Sequence, residues 1–261
     1  MNFNQFKNLI IEINEKIAII TLNRPKTLNA LNKELIIELN SIVTIFEEDD
    51  DIRVVIITGN GNKAFVAGAD IEEMASLGPN EGKSWGSWGS NVFRKIEKSK
   101  KIYIAAINGY ALGGGCELAM ACDIRIGVND LKMGLPETGL GIIPGYGGTQ
   151  RMQKLIGISK AKELIFTCDL VNAHEALQIG LLNHVVEPAE LINKSNEIAK
   201  KITKNSFNAI MLAKEAINIG SQTDIDNGIE IEQNLFGLCF AHNDQKEGMK
   251  AFLEKRKANY D

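Results

Sequence analysis

The chain has 261 residues, of which 44% are hydrophobic and 24% are charged, as is usual for a globular protein. A chain of this length and composition can bury a large core, which excludes disorder and fibrous repeats. The formal net charge of −4 argues against a surface that binds nucleic acid or an anionic membrane as a whole.

Cysteine and histidine residues are few and widely spaced. The four cysteines form no Cys-x-x-Cys pair, which is typical of a reducing compartment, and no two of the three histidines have metal-ligand spacing. Residues 1–16 lack the pattern of a secretory signal. The apolar stretch 102–122 is interrupted by Asn108, by glycines and by Glu117, which argues against a membrane span. We therefore expect a cytoplasmic protein without a metal site.

Strands and helices alternate in the first half of the chain. Runs of β-branched residues that predict strands are 9–13, 17–22, 54–58, 102–107 and 123–127, the first two as a hairpin. Segments whose apolar residues have a helical period are 33–46, 81–98 and 116–122. This alternation predicts an α/β core.

The second half is mostly helical. The high density of Gly and Pro in residues 134–148 predicts loops and turns. A short strand is expected at 184–187, and the segments with helical period lie near 147–156, 159–167, 173–179, 189–204, 207–219, 224–240 and 244–257. No repeat, linker or break in composition separates two domains, so one α/β core with a helical C-terminal extension fits best.

Three loops, 63–71, 108–117 and 134–148, are candidate binding sites, because each has glycine or alanine where a larger side chain would obstruct a ligand; the second and third are rich in glycine. Glycines at a strand-to-helix junction let the backbone approach a ligand and direct free amides at a phosphate or at a carbonyl oxygen gaining negative charge. The glycines at 113–115 do not form Gly-x-Gly-x-x-Gly, and no Walker lysine follows, so a nucleotide site is weakly supported. A tight turn with close helix packing would explain the same glycines.

Two carboxylates stand in the least polar parts of the chain. Glu117 lies in the first turn of an otherwise apolar helix, and Glu137 follows Pro136 within the third loop. Burial of a carboxylate is costly unless it is paired or hydrogen-bonded, so the two could form an acid/base pair across a dry pocket. The alternatives are that Glu117 complements the helix dipole and that Glu137 faces solvent.

Four motifs in order resemble the enoyl-CoA hydratase (crotonase) family. They are 23–31 (NRPKTLNAL), 67–71 (AGADI), 109–119 (GYALGGGCELA) and 144–151 (PGYGGTQR). The similarity extends from about Leu9 to Ala258 and is strongest to the short-chain bacterial members. Four motifs at the family's spacing are far more specific than any one of them.

The resemblance implies an α/β fold, a crotonase-like spiral of repeated ββα units followed by a helical C-terminal trimerisation region. Residues 1–195 would form the core with the CoA and catalytic site. Residues 196–261 would serve oligomerisation and act as a lid over CoA. The assembly would be a homotrimer, or a homohexamer built as a dimer of trimers.

The resemblance also implies a reaction, the reversible hydration of trans-2-enoyl-CoA to 3-hydroxyacyl-CoA. Backbone amides of Ala69 and Gly114 would bind the thioester oxygen and stabilise its developing charge. Glu117 would activate the water as a base, and Glu137 would supply the proton to the α-carbon. No cofactor is expected, because coenzyme A is part of the substrate.

Further residues are assigned to CoA or substrate binding by the resemblance: Lys26, Leu28, Lys63, Ala67, Gly68, Asp70, Ile71, Phe252 and Lys255. Lys255 could equally be a solvated surface lysine. Glu72 stands where many relatives have a basic residue, which removes one expected CoA contact. Trp85 and Trp88 either shorten the acyl pocket or pack against the rest of the fold as ordinary helix residues.

Other reactions occur on the same fold, so the family alone does not define the chemistry. Relatives that shift a double bond commonly keep only one of the two glutamates, which favours hydration over Δ3-Δ2 isomerisation here. An RNA-binding relative would need a basic surface, and a flavin or nicotinamide oxidoreductase would need the missing nucleotide fingerprint. The expected partner is therefore an acyl-CoA thioester, with no nucleic acid and no membrane.

Overall fold

The computed structural model describes residues 3 and 5–260. The described residues leave out Met1, Asn2 and Asn4 of the expected core region 1–195, and Asp261 of the expected C-terminal region 196–261. The chain divides into two compact units, one up to Glu197 and one from Ile198 onward.

The first unit contains the strands of the protein. In chain order they are β1 (Leu9–Asn14), β2 (Ile17–Leu22), β3 (Val54–Gly59), β4 (Ala64–Val66), β5 (Ile102–Ile107), β6 (Tyr110–Leu112), β7 (Ile124–Val128), β8 (Lys132–Gly134), β9 (Val171–Asn172) and β10 (His184–Val186). The five strands and the hairpin predicted for the first half are confirmed. The predicted strand at 184–187 is β10.

Helices of the first unit follow or separate these strands. They are α1 (Lys33–Glu48), α2 (Ile71–Met74), α3 (Pro79–Lys98), α4 (Gly114–Ala121), α5 (Gly148–Ile156), α6 (Ile158–Thr167), α7 (Ala173–Gln178) and α8 (Leu191–Thr203), within which the division of the chain falls. Single turns of 3-10 helix occupy Pro25–Thr27, Pro136–Leu140 and Pro188–Glu190. The middle one lies in the segment 134–148, for which the sequence predicts loops and turns.

The strands form two sheets. The six-stranded sheet has the order β1-β2-β3-β5-β7-β10 and is parallel except for the β1–β2 hairpin. Every residue of β3 and β5 is buried, as continuous apolar strands in a parallel sheet should be. The second sheet has the order β4-β6-β8-β9, in which β4, β6 and β8 are parallel. Its strands have two or three residues, too few to give an alternating pattern in the sequence.

A ββα unit is repeated three times along the chain. Each unit adds one strand to the six-stranded sheet and one to the four-stranded sheet before its helix: β3-β4-α2, β5-β6-α4 and β7-β8-α5. The expected spiral of ββα units is therefore confirmed. Because β4, β6 and β8 are parallel neighbours, the loops after them emerge at one edge of the sheet.

The second unit consists of helices, namely the end of α8, α9 (Phe207–Gly220), α10 (Ile225–Cys239) and α11 (Asn243–Leu253). The last helix ends at Leu253, so the prediction that it continues to Lys257 is wrong. Lys255 adopts a left-handed φ of 54°, and the Arg256 guanidinium turns back to Glu247, 2.6 Å from Nη1 to Oε1. This ion pair holds the residues that follow α11 against that helix, because Glu247 lies within α11.

Large apolar side chains are exposed on the second unit. Neither α9 nor α10 has a fully buried residue. The exposed apolar residues of the unit include Ile217, Ile225, Phe236, Leu238, Met249, Phe252 and Leu253. None of the helices in the described part of the chain has the length and apolarity that a membrane crossing requires.

Candidate active site

A cavity of about 630 Å³ lies at the edge where the loops after β4, β6 and β8 meet. The first loop provides Ala67–Ala69, the second leads into α4, and the third carries Glu137 on its 3-10 turn. Apolar side chains from α2, α3, the segment between these helices and the third loop complete the wall. They are Ile71, Met74, Leu77, Trp85, Leu140, Ile142, Ile143 and Tyr146.

Two backbone amides of the cavity wall have no acceptor within the described part of the chain. In the parallel bridge between Leu31 and Ala69, Leu31 bonds to the carbonyl of Gly68 and to the amide of Asp70, so the Ala69 amide is directed away from Leu31. Gly114 is the first residue of α4, where the amide has no intrahelical acceptor. Both residues line the cavity, where their N–H groups could bind one anionic oxygen.

Glu117 is buried, with 1% of its surface exposed, in the first turn of α4. Its Oε1 accepts hydrogen bonds from the backbone amides of Tyr146, at 2.8 Å, and Gly148, at 2.7 Å. Burial raises the pKa of Glu117, whereas the two amide N–H groups and the charge of Arg151 act to lower it. The carboxylate is therefore desolvated but has fixed donors for its charged form.

Glu137 lies on the 3-10 turn Pro136–Leu140 and is half-buried. Its Oε2 is buried and has no hydrogen-bond partner among the described residues. Burial, followed by the negative charge of Glu117, raises the pKa of Glu137 to about 7. The two carboxylates thus line one cavity in different environments, as an acid/base pair requires.

Glycines are needed where the backbone passes these carboxylates. Gly113 has a φ of 52°, and a Cβ there would lie 3.1 Å from Oε1 of Glu137. A Cβ on Gly148 would lie 2.9 Å from Oε1 of Glu117. The close packing that would explain these glycines is therefore present at both positions.

The expected CoA-binding residues are placed in different surroundings. Ala67, Gly68 and Ile71 line the cavity. Leu28 lies next to them, because its carbonyl accepts from the Ala67 amide at 3.1 Å. Those outside the cavity wall are Lys26 and Lys63, both exposed, and Asp70, whose Oδ2 is 3.1 Å from Nη2 of Arg24.

Of the remaining residues named from the sequence, one lines the cavity and the others are exposed on the surface. Trp85 lines the cavity, whereas Trp88 lies on the surface with the Lys33 ammonium 4.6 Å from its ring centroid. Phe252 and Lys255 belong to the second unit, and both are exposed there. Glu72 is exposed in the first turn of α2.

Sequence reasoning missed Tyr146 and Arg151 as functional candidates. The Tyr146 ring packs edge-on against Phe93, with 5.5 Å between centroids, in a space that Gly89 of α3 leaves open. Its backbone amide binds Glu117, and its carbonyl accepts from Nη1 of Arg151 at 2.8 Å. The signal in the sequence was the 144–151 motif, which contains both residues.

Among the described residues, no three His, Cys, Asp or Glu side chains are grouped so that they could hold a metal ion. The absence of a metal and of a cofactor in the reaction stays a prediction.

The comparisons with known proteins give the family. The model for enoyl-CoA hydratase/isomerase matches residues 12–261, and the chain belongs to this family. It is 52% identical over 255 residues to crotonyl-CoA hydratase of Syntrophomonas wolfei, covering 98% of both chains. It is 51% identical over 253 residues to short-chain-enoyl-CoA hydratase of Clostridium acetobutylicum, covering 97% of both.

One solved structure is similar to this chain in both fold and sequence. The enoyl-CoA hydratase from Bacillus anthracis superimposes with a TM-score of 0.94 and 42% identity, over 97% of this chain and 99% of that one. The resemblance read from the four motifs is thus confirmed.

Proposed function

We propose that this chain is an enoyl-CoA hydratase that adds water reversibly to trans-2-enoyl-CoA and, in reverse, dehydrates 3-hydroxybutyryl-CoA to crotonyl-CoA. The observation that carries the proposal is one cavity lined by two acceptor-free amides and two carboxylates with raised pKa values. The names of the two relatives that are about half identical support a short acyl chain.

Each group has a role in this reaction. The amides of Ala69 and Gly114 bind the thioester oxygen and stabilise the enolate that forms when water attacks the β-carbon. Glu117 takes a proton from that water, so the hydroxyl oxygen bonds to the β-carbon. Glu137 gives its proton to the α-carbon as the enolate collapses to the thioester. Water is added, no electron is gained or lost, and the reverse steps remove it.

Binding and assembly extend the proposal. Lys26, Leu28 and Lys63 contact CoA beside the loop 67–71, the lysines as point charges for phosphates. The chain assembles as a homotrimer or homohexamer through its second unit, which the exposed apolar side chains of that unit support. The CoA contacts of Phe252 and Lys255, the lid role of the second unit and a cytoplasmic location stay predictions.

The test is the loss of the conjugated-thioester absorbance of crotonyl-CoA on addition of the purified protein. Glu137→Gln should lower kcat by about 10³-fold, because general acid catalysis contributes about 10²–10⁴-fold. Glu48→Gln is the matched control, since Glu48 is an exposed glutamate at the end of α1. If the wild type hydrates neither crotonyl-CoA nor longer enoyl-CoAs, the proposal is wrong.

The same proton transfer at the α-carbon would support Δ3-Δ2 isomerisation. Supplying 3-enoyl-CoA separates the two reactions, because isomerisation creates the conjugated absorbance that hydration removes.

A further inference from the structure

The loop that orients Glu117 is itself held by an arginine. The amides of Tyr146 and Gly148 both donate to Glu117 Oε1, and α5 begins at the end of this loop. From the first turn of α5, Nη1 of Arg151 donates to the carbonyl of Tyr146 at 2.8 Å. The Arg151 amide donates to the carbonyl of Gly147 at 2.9 Å. One residue therefore holds two successive carbonyls of the loop whose amides hold the carboxylate.

The other end of the guanidinium is fixed by α3. Nη2 of Arg151 lies 3.0 Å from Oε2 of Glu97, and Nη1 of Arg94 lies 2.8 Å from the same oxygen. The Arg151 side chain is 10% exposed, against 36% for Arg94, so Arg151 is the inner partner of this carboxylate. A desolvated guanidinium bonded on two sides is rigid, which suits it to hold a loop.

Glycine makes this arrangement possible. Gly147 has a φ of 98°, and a Cβ there would lie 2.3 Å from Nη1 of Arg151. At the next residue, Gly148, a Cβ would crowd the Glu117 carboxylate. The glycine pair thus lets the loop contact the arginine on one side and the glutamate on the other.

We propose that Arg151 is a positioning residue of the hydration reaction: through the loop 146–148 it aims the Glu117 carboxylate at the attacking water. The inference rests on the proposed function with Glu117 as the base. Arg151 is not among the residues that line the cavity, so it acts on the reaction only through Glu117 and its loop.

The charge of Arg151 gives the inference a measurable signature. Arg151 is the cation that lowers the pKa of Glu117, while burial raises it. The other titratable groups near Glu117 are Glu137, Cys116 and Tyr146, and burial raises the pKa of each. On the far side of Arg151, the charged groups that α3 places near it are Glu97 and Arg94. Loss of the Arg151 charge should therefore raise the pKa of Glu117, and a base of higher pKa loses activity earlier as the pH falls.

Three variants test this with crotonyl-CoA. Arg151→Met should lower kcat by about 100-fold with KM within about threefold, because small misplacements of a catalytic group cost this much. The acid limb of its kcat/KM profile should move to higher pH. Arg151→Lys keeps the charge, so its acid limb should stay in place while kcat recovers in part. Arg94→Met removes an arginine from the same Glu97 without touching the loop and should keep the wild-type kcat within about twofold.

Two results would overturn the inference: wild-type kcat and pH profile in folded Arg151→Met, or a lowered kcat with an unmoved acid limb, which a merely structural role would give. If Arg151→Met does not fold by circular dichroism, Glu97→Gln takes its place and should lower kcat about fivefold. An unchanged kcat in Glu97→Gln would then contradict the inference. Failure of the wild type to hydrate enoyl-CoA would instead contradict the proposed function.

Discussion

Glu117 and Glu137 line the same cavity, and burial raises the pKa of both, but within the described part of the chain only Glu117 has hydrogen-bond donors from other residues fixed on its carboxylate. Two amide N–H groups bond to Glu117 Oε1, and such bonds favour a charged carboxylate. Oε2 of Glu137 is buried without a partner among the described residues, and the neighbouring charge of Glu117 disfavours a second charge. The fixed donors on Glu117 and the unpartnered oxygen of Glu137 therefore support the proposed roles of Glu117 as base and Glu137 as acid.

Activity should fall as the pH rises through about 7. The pKa of Glu137 is raised to about 7, and in the proposed mechanism hydration needs its proton while Glu117 is ionised. Dehydration also uses the pair with a single proton, so kcat/KM should fall over the same range in both directions. The measurement is a pH–rate profile with crotonyl-CoA and with 3-hydroxybutyryl-CoA. A flat profile between about pH 6 and pH 9 would contradict the assigned role.

The same carboxyl group should affect stability. Its folded pKa lies above the ordinary value of 4.5, so its stabilising protonation is complete at low pH and is lost as the pH rises through about 7. Glu137→Gln cannot ionise, so its Tm relative to wild type should be about 3 °C higher at alkaline pH than at acid pH. Thermal unfolding of both proteins at acid and alkaline pH measures this. An equal Tm difference at both would show that Glu137 is not held in a raised-pKa environment in the folded protein.

At the level of elements, the sequence predicts the long strands and helices but not the second sheet. Helix α1 is an example, because Leu35, Leu39, Ile42 and Phe46 show the helical period and are all buried. Strands β4, β6, β8 and β9 are too short to show a period, although three of them bring together the loops that line the cavity. Lone carboxylates in apolar surroundings indicated Glu117 and Glu137. Arg151 gave no such signal, because its contact with Glu97 joins residues far apart in the chain.

Close packing of α4 on the second sheet gives a test at this scale. A Cβ on Gly115 would lie 2.1 Å from the carbonyl oxygen of Val66 in β4, so Gly115→Ala must displace α4. We expect a loss of about 1–3 kcal/mol in the free energy of unfolding, and lower activity because α4 carries Gly114 and Glu117.

Gly82→Ala is the matched control, measured beside it by urea unfolding. No atom lies within 4 Å of a Cβ built at Gly82, in helix α3. The substitution should stabilise the protein by about 0.5–1 kcal/mol, because alanine loses less conformational freedom on folding. Equal destabilisation by both substitutions would contradict the packing argument.

For the whole molecule, the exposed apolar surface of the second unit must be explained. Monomeric proteins rarely expose large contiguous apolar patches, and this unit carries many large apolar side chains in water. Association of chains through α9, α10 and α11 would bury them, in agreement with the proposed trimer or hexamer.

Light scattering should therefore give the mass of three or six chains. Ile217 and Ile225, which are 70% and 75% exposed, lie in α9 and α10. The double variant Ile217→Glu/Ile225→Glu should dissociate the assembly, because burying two unpaired carboxylates is unfavourable. Phe166→Glu is the control, at a residue of the first unit that is 71% exposed. Dissociation by Phe166→Glu alone would place the contact elsewhere.

The two acceptor-free amides of Ala69 and Gly114 have a consequence for how the enzyme can be dissected. An alanine scan replaces side chains and leaves every peptide N–H in place, so it would miss the groups proposed to stabilise the enolate. Replacement of one amide by an ester, through a hydroxy acid at position 69 or 114, removes the donor and changes little else. Chemical synthesis or semisynthesis, rather than codon changes, would measure this part of catalysis.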